Sequence, residues 1–437
     1  MIKRQRSAAE KTLIEKAYKY LPGGSNGNIY FPKESAFIVK GGKGAHIWDV
    51  SGNEYIDYLI GSGPMILGHA HPAVVEAVRE QLEKGSTYFL TSEPSVLLAE
   101  EVAKAVPCAE KIRFASTGSE ADFFALRAAR AYRKRDKILK FEGAFHGSSD
   151  YSAMSISGYG INPDLSREFP HPTPGTAGIP KVLEDEVLIA PFNDLETTSA
   201  IIEKHHDELA AVIMEPFQRL IPPTPAFLKG IRKVASHYDI PLIFDEVVTG
   251  FRFSYGGAQQ YYGVKPDMAA MGKIVGGGYP LSLVCGRADI MDCFDQKHKD
   301  TGDWVPQIGT LNGNPIAAAA GLATLKELRK PGSYEKLFAT GHKLRTKLEK
   351  LFKDAKIPAQ VVGEDPLFDI FFTDKKVTDY RSSMTADEGM LKRFNKLLFD
   401  RGIYKSASKY YVSLALTEED VNHTMKAFEE AVAELKG

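Results

Sequence analysis

The stretch PLIFDEVVTGFR at residues 241–252, with PDMAAMGKIVGGGYPL at 266–281 after it, decides how this chain folds. Leu242, Ile243 and Phe244 make an apolar run too short for a helix and without polar alternation, which reads as a strand buried on both faces. Such strands belong to parallel sheets covered by helices. The run ends on Asp245, and a carboxylate at a buried strand end needs a cation or hydrogen-bond donors to offset its desolvation. The second stretch repeats the beat: an apolar segment at 268–271 is followed by Lys273, 28 residues after Asp245, one strand-to-strand spacing. A lysine set among Ile274, Val275 and glycines is outside the solvated setting lysines prefer, and burial makes its neutral amine available as a nucleophile.

The same alternation extends upstream through KIRFA (111–115), the helical EADFFALRAARAYRK (120–134), DKILKF (136–141), LAAVIMEPF (209–217) and the helical FLKGIRKVASHYD (227–239). Strands alternating with helices predict an α/β unit with a mostly parallel sheet. Residues 7–20 read as an amphipathic helix stopped by Pro22-Gly23-Gly24, and 36–59 as a small β-meander turning at Gly41-Gly42 and Ser51-Gly52-Asn53. Helices are expected at 71–84 and 95–105. From about 321 a helix, strands within 359–373 and a charged helix at 417–435 read as a smaller α+β unit. The expected division is therefore 1–60, packing with the small domain, 61–320 as the large domain, and 321–437 as the small one.

The bulk numbers fit such a globular chain. In 437 residues, 43% are hydrophobic and 25% charged, enough apolar content for a sizeable core. The 55 basic and 56 acidic side chains leave a net charge of −1, so no basic footprint points to nucleic acid or an anionic membrane surface, and the expected partners are small molecules. Cys108, Cys285 and Cys293 lack the spacing of a zinc site or a disulfide framework, which suits a reducing cytoplasm. No metal is expected. The N-terminus has no apolar signal region, and no apolar run reaches bilayer length.

Ligands of open parallel sheets bind at the carboxyl ends of the strands, so the polar residues there carry the functional reading. Ser116-Thr117-Gly118-Ser119-Glu120 follows a strand and opens a helix, the makings of a phosphate cradle, although Ser or Thr there also serves as an N-cap. Asp245 would answer a protonated ring nitrogen, or else pair with Arg252 or cap the next turn. Lys273 is either a Schiff-base former or a lysine snorkelling past a glycine loop. Gly309-Thr310-Leu311-Asn312-Gly313-Asn314-Pro315 leads into the small-residue helix IAAAAGLATL.

Cradle, carboxylate, lysine and hydroxyl turn arrive in that order on successive strand ends, and here the sequence resembles the class III aminotransferases, pyridoxal 5'-phosphate (PLP) enzymes of the aspartate aminotransferase fold. The stretches that carry the resemblance are GPMILGHAHP (63–72), STGSEA (116–121), KFEGAFHG (140–147), MEP (214–216), LIFDEVVTGFR (242–252), PDMAAMGKIVGGGYPL (266–281) and GTLNGNP (309–315). The resemblance implies that Lys273 holds PLP as a Schiff base and Asp245 pairs with the pyridinium nitrogen. It implies further that Gly118 and Ser119 hold the phosphate, with Thr310 reaching it from the partner subunit of a homodimer. Phe145 would stack on one face of the ring, where many relatives have Tyr, and Val247 on the other, while Glu215 matches an acid beside the cofactor. No catalytic role is assigned to His146, and Arg252 is expected in a structural ion pair.

Within the family the chain is similar to the glutamate-1-semialdehyde aminomutase-like branch through LPGG (21–24), GPMILGHAHP and LFDRGIYKSASKYYVSLALTEEDV (398–421). It departs from the aminomutase in lacking an arginine shortly after the PGG turn and in placing Ser62 where that enzyme has Trp before Gly-Pro. No arginine lies within 405–416 either, and Tyr30, Phe31, Tyr88, Phe89, Tyr410 and Tyr411 are available to line an apolar pocket. The expected reaction is ping-pong transamination by an ω-transaminase between an amine or amino acid and a carbonyl acceptor, with an aminomutase or racemase as the alternative on the same cofactor.

Overall fold

The computed structural model describes residues 6–27, 29–31, 33, 35–158, 170–405, 407 and 409–436. Three strands, β1 (Val39–Lys43), β2 (His46–Asp49) and β3 (Glu54–Asp57), form the N-terminal meander. The central sheet is built from β4 (Lys111–Ala115), β5 (Lys137–Phe141), β6 (Val187–Ala190), β7 (Leu209–Met214), β8 (Leu242–Glu246), β9 (Met268–Met271) and β10 (Ser282–Gly286), in the order β4-β10-β9-β8-β7-β5-β6. Near the C-terminus come β11 (Gln360–Glu364), β12 (Leu367–Phe371), β13 (Ile403–Tyr404) and β14 (Tyr410–Tyr411). β14 pairs with β12, whereas β13 runs parallel to β3 and so ties residues 54–57 to the C-terminal unit.

The centre of the large sheet is parallel, as the apolar strands predict, but β10 runs antiparallel to both β9 and β4. The reason is length: only residues 272–281 join β9 to β10, too few for the helical crossover that a parallel return requires. The period of two along β8 sorts its side chains between two cores. Leu242 and Phe244 join the larger core, with Phe227, Leu228 and Ile231 of the helix Pro225–His237. Ile243 joins the other, with Ala125, Leu126 and Ala129 of the helix Gly118–Arg133. The helix Pro315–Leu328 runs through the division expected at residue 320. Among the described residues no helix is long and apolar enough to cross a membrane.

Candidate active site

The strand period that sorts the core also separates the two carboxylates that end β8. Asp245 follows Ile243 to the face of the helix Gly118–Arg133, while Glu246 follows Phe244 to the opposite face. There Glu246 accepts from the backbone N–H of Gln259 at 3.2 Å, from Gln259 Nε2 at 2.9 Å and from Thr249 at 3.1 Å, so it anchors the chain after β8 rather than facing a ligand. Asp245 is buried and collects different donors: His146 Nδ1 donates to its Oδ2 at 2.8 Å, and the Val247 N–H to its Oδ1 at 3.0 Å. Asp122, one helical turn after Ser119, completes the cluster. Burial first, then the charges of Asp245 and Glu215, push its carboxyl well above the usual range, so it keeps its proton beside Asp245. Donor atoms of Asp122, His146 and Asp245 lie within 4.8 Å of one another, a spacing that would also suit a metal, but here the residues pair among themselves. Asp122 Oδ1 and His146 Nε2 are buried without a protein partner.

Lys273 begins the short helical turn after β9, with φ of +53°. That left-handed conformation costs a non-glycine residue about 1 kcal/mol. Burial lowers the pKa of its amine, and the nearby charges of Lys409 and Arg252 lower it further, against the opposite pull of Tyr411 and Asp245. Lowered pKa alone does not single it out. Lys140 is pushed down to about 7 by burial, yet its Nζ donates to the carbonyls of Ala144, Ser152 and Met154 and pins the loop that carries Phe145 and His146. Lys405, also lowered, pairs with Asp369 at 2.6 Å. Lys273 makes no hydrogen bond among the described residues, and its amine is free to react.

Thr117 is the N-cap of the helix Gly118–Arg133: it accepts from the Glu120 N–H, and Glu120 reaches back to the N–H of Thr117 at 2.8 Å. The cap leaves the amides of Gly118 and Ser119 outside its hydrogen bonds. Close approach explains the glycines. A Cβ at Gly118 would come within 2.9 Å of Val247 Cγ1, and one at Gly147 within 2.5 Å of Ser119 Cα. Ser119 Oγ also accepts from the Ser148 N–H at 3.2 Å, which brings the Gly147-Ser148 loop over the helix start. Val247 thus lines the floor beside Gly118, and Phe145 is 44% exposed, open to stack on a planar ligand. Glu215 is buried at the end of β7 and accepts from the Phe145 N–H at 3.3 Å, so it fixes the backbone of that aromatic residue. Thr310 is exposed on this chain.

Two expectations change. Arg252 makes no ion pair among the described residues; it is fully buried, donates to the carbonyls of Val248 and Gly63, and lies 4.9 Å from the Tyr411 ring centroid. Of the six aromatics, Tyr411 lies beside Lys273. Tyr410 is core, stacked on Phe368, and Phe31 packs on Phe37. The sequence reading passed over Asp122, Arg219 and Lys409. A polar residue on the buried Ala121–Ala125–Ala128 face was a signal for Asp122, whereas nothing local marks the other two.

A model of the class-III aminotransferases matches residues 30–432. The chain belongs to that family. As a class-III aminotransferase it is an enzyme with the PLP-dependent transferase fold and pyridoxal 5'-phosphate as cofactor. Among its relatives it is 40% identical over 427 residues, 96% of this chain and 97% of the other, to the glutamate-1-semialdehyde 2,1-aminomutase of Methanocaldococcus jannaschii. Its structure superposes on an omega-transaminase from Sphaerobacter thermophilus with a TM-score of 0.93 at 36% identity over 99% of both chains. A beta-phenylalanine aminotransferase from Variovorax paradoxus follows at 0.87 and 28%, covering 98% of this chain and 94% of that one. The residues in hand fit the cofactor: a cradle that no Cβ may fill, a buried carboxylate fed by donors, and an unpaired amine at the carboxyl ends of neighbouring strands.

Proposed function

We propose that this class-III aminotransferase is an ω-transaminase acting on amines or amino acids with a bulky apolar group, and that Lys273, Asp245, Gly118, Ser119, Phe145, Val247 and Glu215 form its working site. The observation that carries this reading is the unpaired, deprotonation-prone Lys273 amine beside Asp245. When bound, PLP supplies an electron sink for the bond broken at the amine-bearing carbon. The protein does the rest. The Gly118 and Ser119 amides hold the phosphate at the positive end of the helix. Asp245, supplied with donors by His146 and Val247, keeps the ring nitrogen protonated. Phe145 and Val247 would hold the ring from its two faces. Lys273 Nζ would carry the cofactor covalently, and its amine would move the proton from the amine-bearing carbon to the carbon that began as the cofactor's aldehyde.

A cavity of about 440 Å³, bordered by the apolar Ile221, Phe371, Met384 and Leu391 and by the charged Arg219, Asp369 and Lys409, has room for a bulky substituent. The 40% identity to an aminomutase supports the alternative of intramolecular amino transfer. Turnover of an amino donor only when a keto acid or aldehyde is added supports transamination, and isomerisation without any acceptor refutes it.

We further propose a cytoplasmic homodimer with shared active sites. Leu90 is 81% exposed and Ile308 75%, alongside exposed Tyr88, Phe89 and Leu311, and Asn314 bonds the Ser86 carbonyl at 2.9 Å to hold the two segments together. An apolar patch of that kind, flanking Thr310, suits burial against a second copy in which each chain lends Thr310 to the other's phosphate. Sedimentation of the PLP-loaded protein tests it, and a fully active monomer refutes it.

A further inference from the structure

Three basic side chains around Lys273 and Phe145 have no acidic partner at hydrogen-bonding distance among the described residues. Arg252 is held by carbonyls, as above, but its Nη1 is buried and unpaired. Lys409 is buried, lies 6.0 Å from the Tyr411 ring centroid and makes no hydrogen bond among the described residues. Arg219 is half-buried, 5.9 Å from the Phe145 ring centroid, and its nearest carboxylate oxygen, on Glu215, is 3.9 Å away. Glu215 gives its Oε2 to the Phe145 N–H, while its Oε1 faces Arg219 from beyond hydrogen-bonding reach, so the forked donors of Arg219 make no hydrogen bond among the described residues.

Arg219 is also in an awkward place for an arginine. Gln218 and Ile221 close a two-residue turn through hydrogen bonds of 3.1 and 2.8 Å, and Arg219, its first central residue, has φ of +60°. Glycine suits that position, and arginine there is strained. Among the described residues the guanidinium makes no hydrogen bond that would offset the strain.

Arg219 and Lys409 share one cavity, the 440 Å³ space whose other walls include Ile221, Phe371, Met384 and Leu391. Three carboxylates also border it. Asp369 gives its Oδ1 to Lys405 while its Oδ2 is buried without a partner, Asp387 caps the helix Glu388–Phe399, and the exposed Glu388 lies 3.7 Å from Lys392. The cavity therefore offers two cations without a hydrogen-bonded acidic partner together with apolar side chains in its wall.

We propose that Arg219 and Lys409 grip the carboxylate of an amino-acid substrate while the cavity takes its side chain. The inference rests on the transaminase reading and adds the substrate class: an apolar amino acid rather than a simple amine. The planar fork of Arg219 suits bidentate capture, and Lys409 adds a point charge. The cofactor's phosphate is held elsewhere, at Gly118 and Ser119, so the two anions do not compete.

The test uses PLP-loaded enzyme and two unreactive probes, 3-phenylpropanoate and its neutral relative 3-phenylpropanamide, titrated by calorimetry. Wild-type enzyme is expected to bind the acid roughly ten- to hundredfold more tightly, the scale of a charge-assisted hydrogen-bonded pair. Arg219→Gly with Lys409→Met should abolish that preference. Glycine suits the turn, so Arg219→Gly should melt no lower than wild type, which separates lost recognition from misfolding. In turnover, the wild-type kcat/KM ratio for 3-amino-3-phenylpropanoate over 1-phenylethylamine should exceed ten and collapse in the double variant. Equal binding of acid and amide by wild type, or a preference that survives both substitutions, overturns the subsite. Wild-type enzyme that transaminates both donors equally well overturns the subsite alone, whereas a protein that fixes no PLP overturns the reading beneath it.

Discussion

The proposed cofactor wall and the proposed substrate wall are built by different means. The cofactor wall sits on strand ends: Asp245 ends β8, Glu215 follows β7, Lys273 follows β9, and the cradle opens the helix after β4. Each position is set by a hydrogen-bonded ladder and two packed cores, and the chemistry is announced in short local motifs. The substrate wall comes from the 217–221 turn and the segment around Lys409, which are 190 residues apart between Arg219 and Lys409 and meet only in the fold. Rigid elements hold the reaction, and loops set what enters it.

The sharpest break in that comparison should come from Lys273→Ala, which is expected to abolish turnover and covalent PLP attachment while the protein folds. Asp245→Asn comes next. An amide cannot stabilise the ring cation, so kcat should fall on the order of a hundredfold or more with some cofactor retained. The neighbouring Glu246→Gln should do the reverse, leaving kcat near wild type and lowering stability by about 1–3 kcal/mol, because its amide opposes the Gln259 donors. Steady-state kinetics and melting curves on the pair read both; equal effects would contradict the sorting of the two carboxylates to opposite faces.

The substrate wall should show itself in pH. The Lys409 amine is pushed down to about 7 by burial, then by Arg219 and Arg252, against the pull of Glu215 and Asp245. Lys273 and the Tyr411 ring face it as well, and Asp369, Asp387 and Glu388 border the same cavity. A bound carboxylate favours the protonated amine and raises its pKa. Affinity for 3-phenylpropanoate should therefore be greatest below about pH 7 and weaken as pH rises above it, whereas 3-phenylpropanamide should show no such trend. The same slope in Lys409→Met would assign the effect to another group. The smallest effect is expected at the shared edge: Thr310→Ala should weaken PLP affinity roughly tenfold, one charge-assisted bond, without changing the lysine that carries it.

Legibility followed the same division. The buried run before Asp245, the spacing to Lys273 and the glycine cradle were readable because each is a local pattern with a physical reason. The antiparallel β10 was hidden in a connection too short for a crossover. Asp122 lay in view on an apolar helix face but acts through Asp245, a partner on another element. His146 was noticed without a role, which its bond to Asp245 supplies. Arg219 and Lys409 could not be joined from sequence, since an arginine two residues after Phe217 and a lysine before Tyr410 look like solvated charges until the turn and the cavity bring them together.

Borohydride reduction of the PLP-loaded enzyme followed by peptide mapping tests the central claim most directly, because Lys140, Lys273, Lys405 and Lys409 all have lowered pKa values and any of them is a chemically plausible amine. The account predicts the phosphopyridoxyl group on Lys273 alone; finding it on Lys409 or another lysine would contradict it.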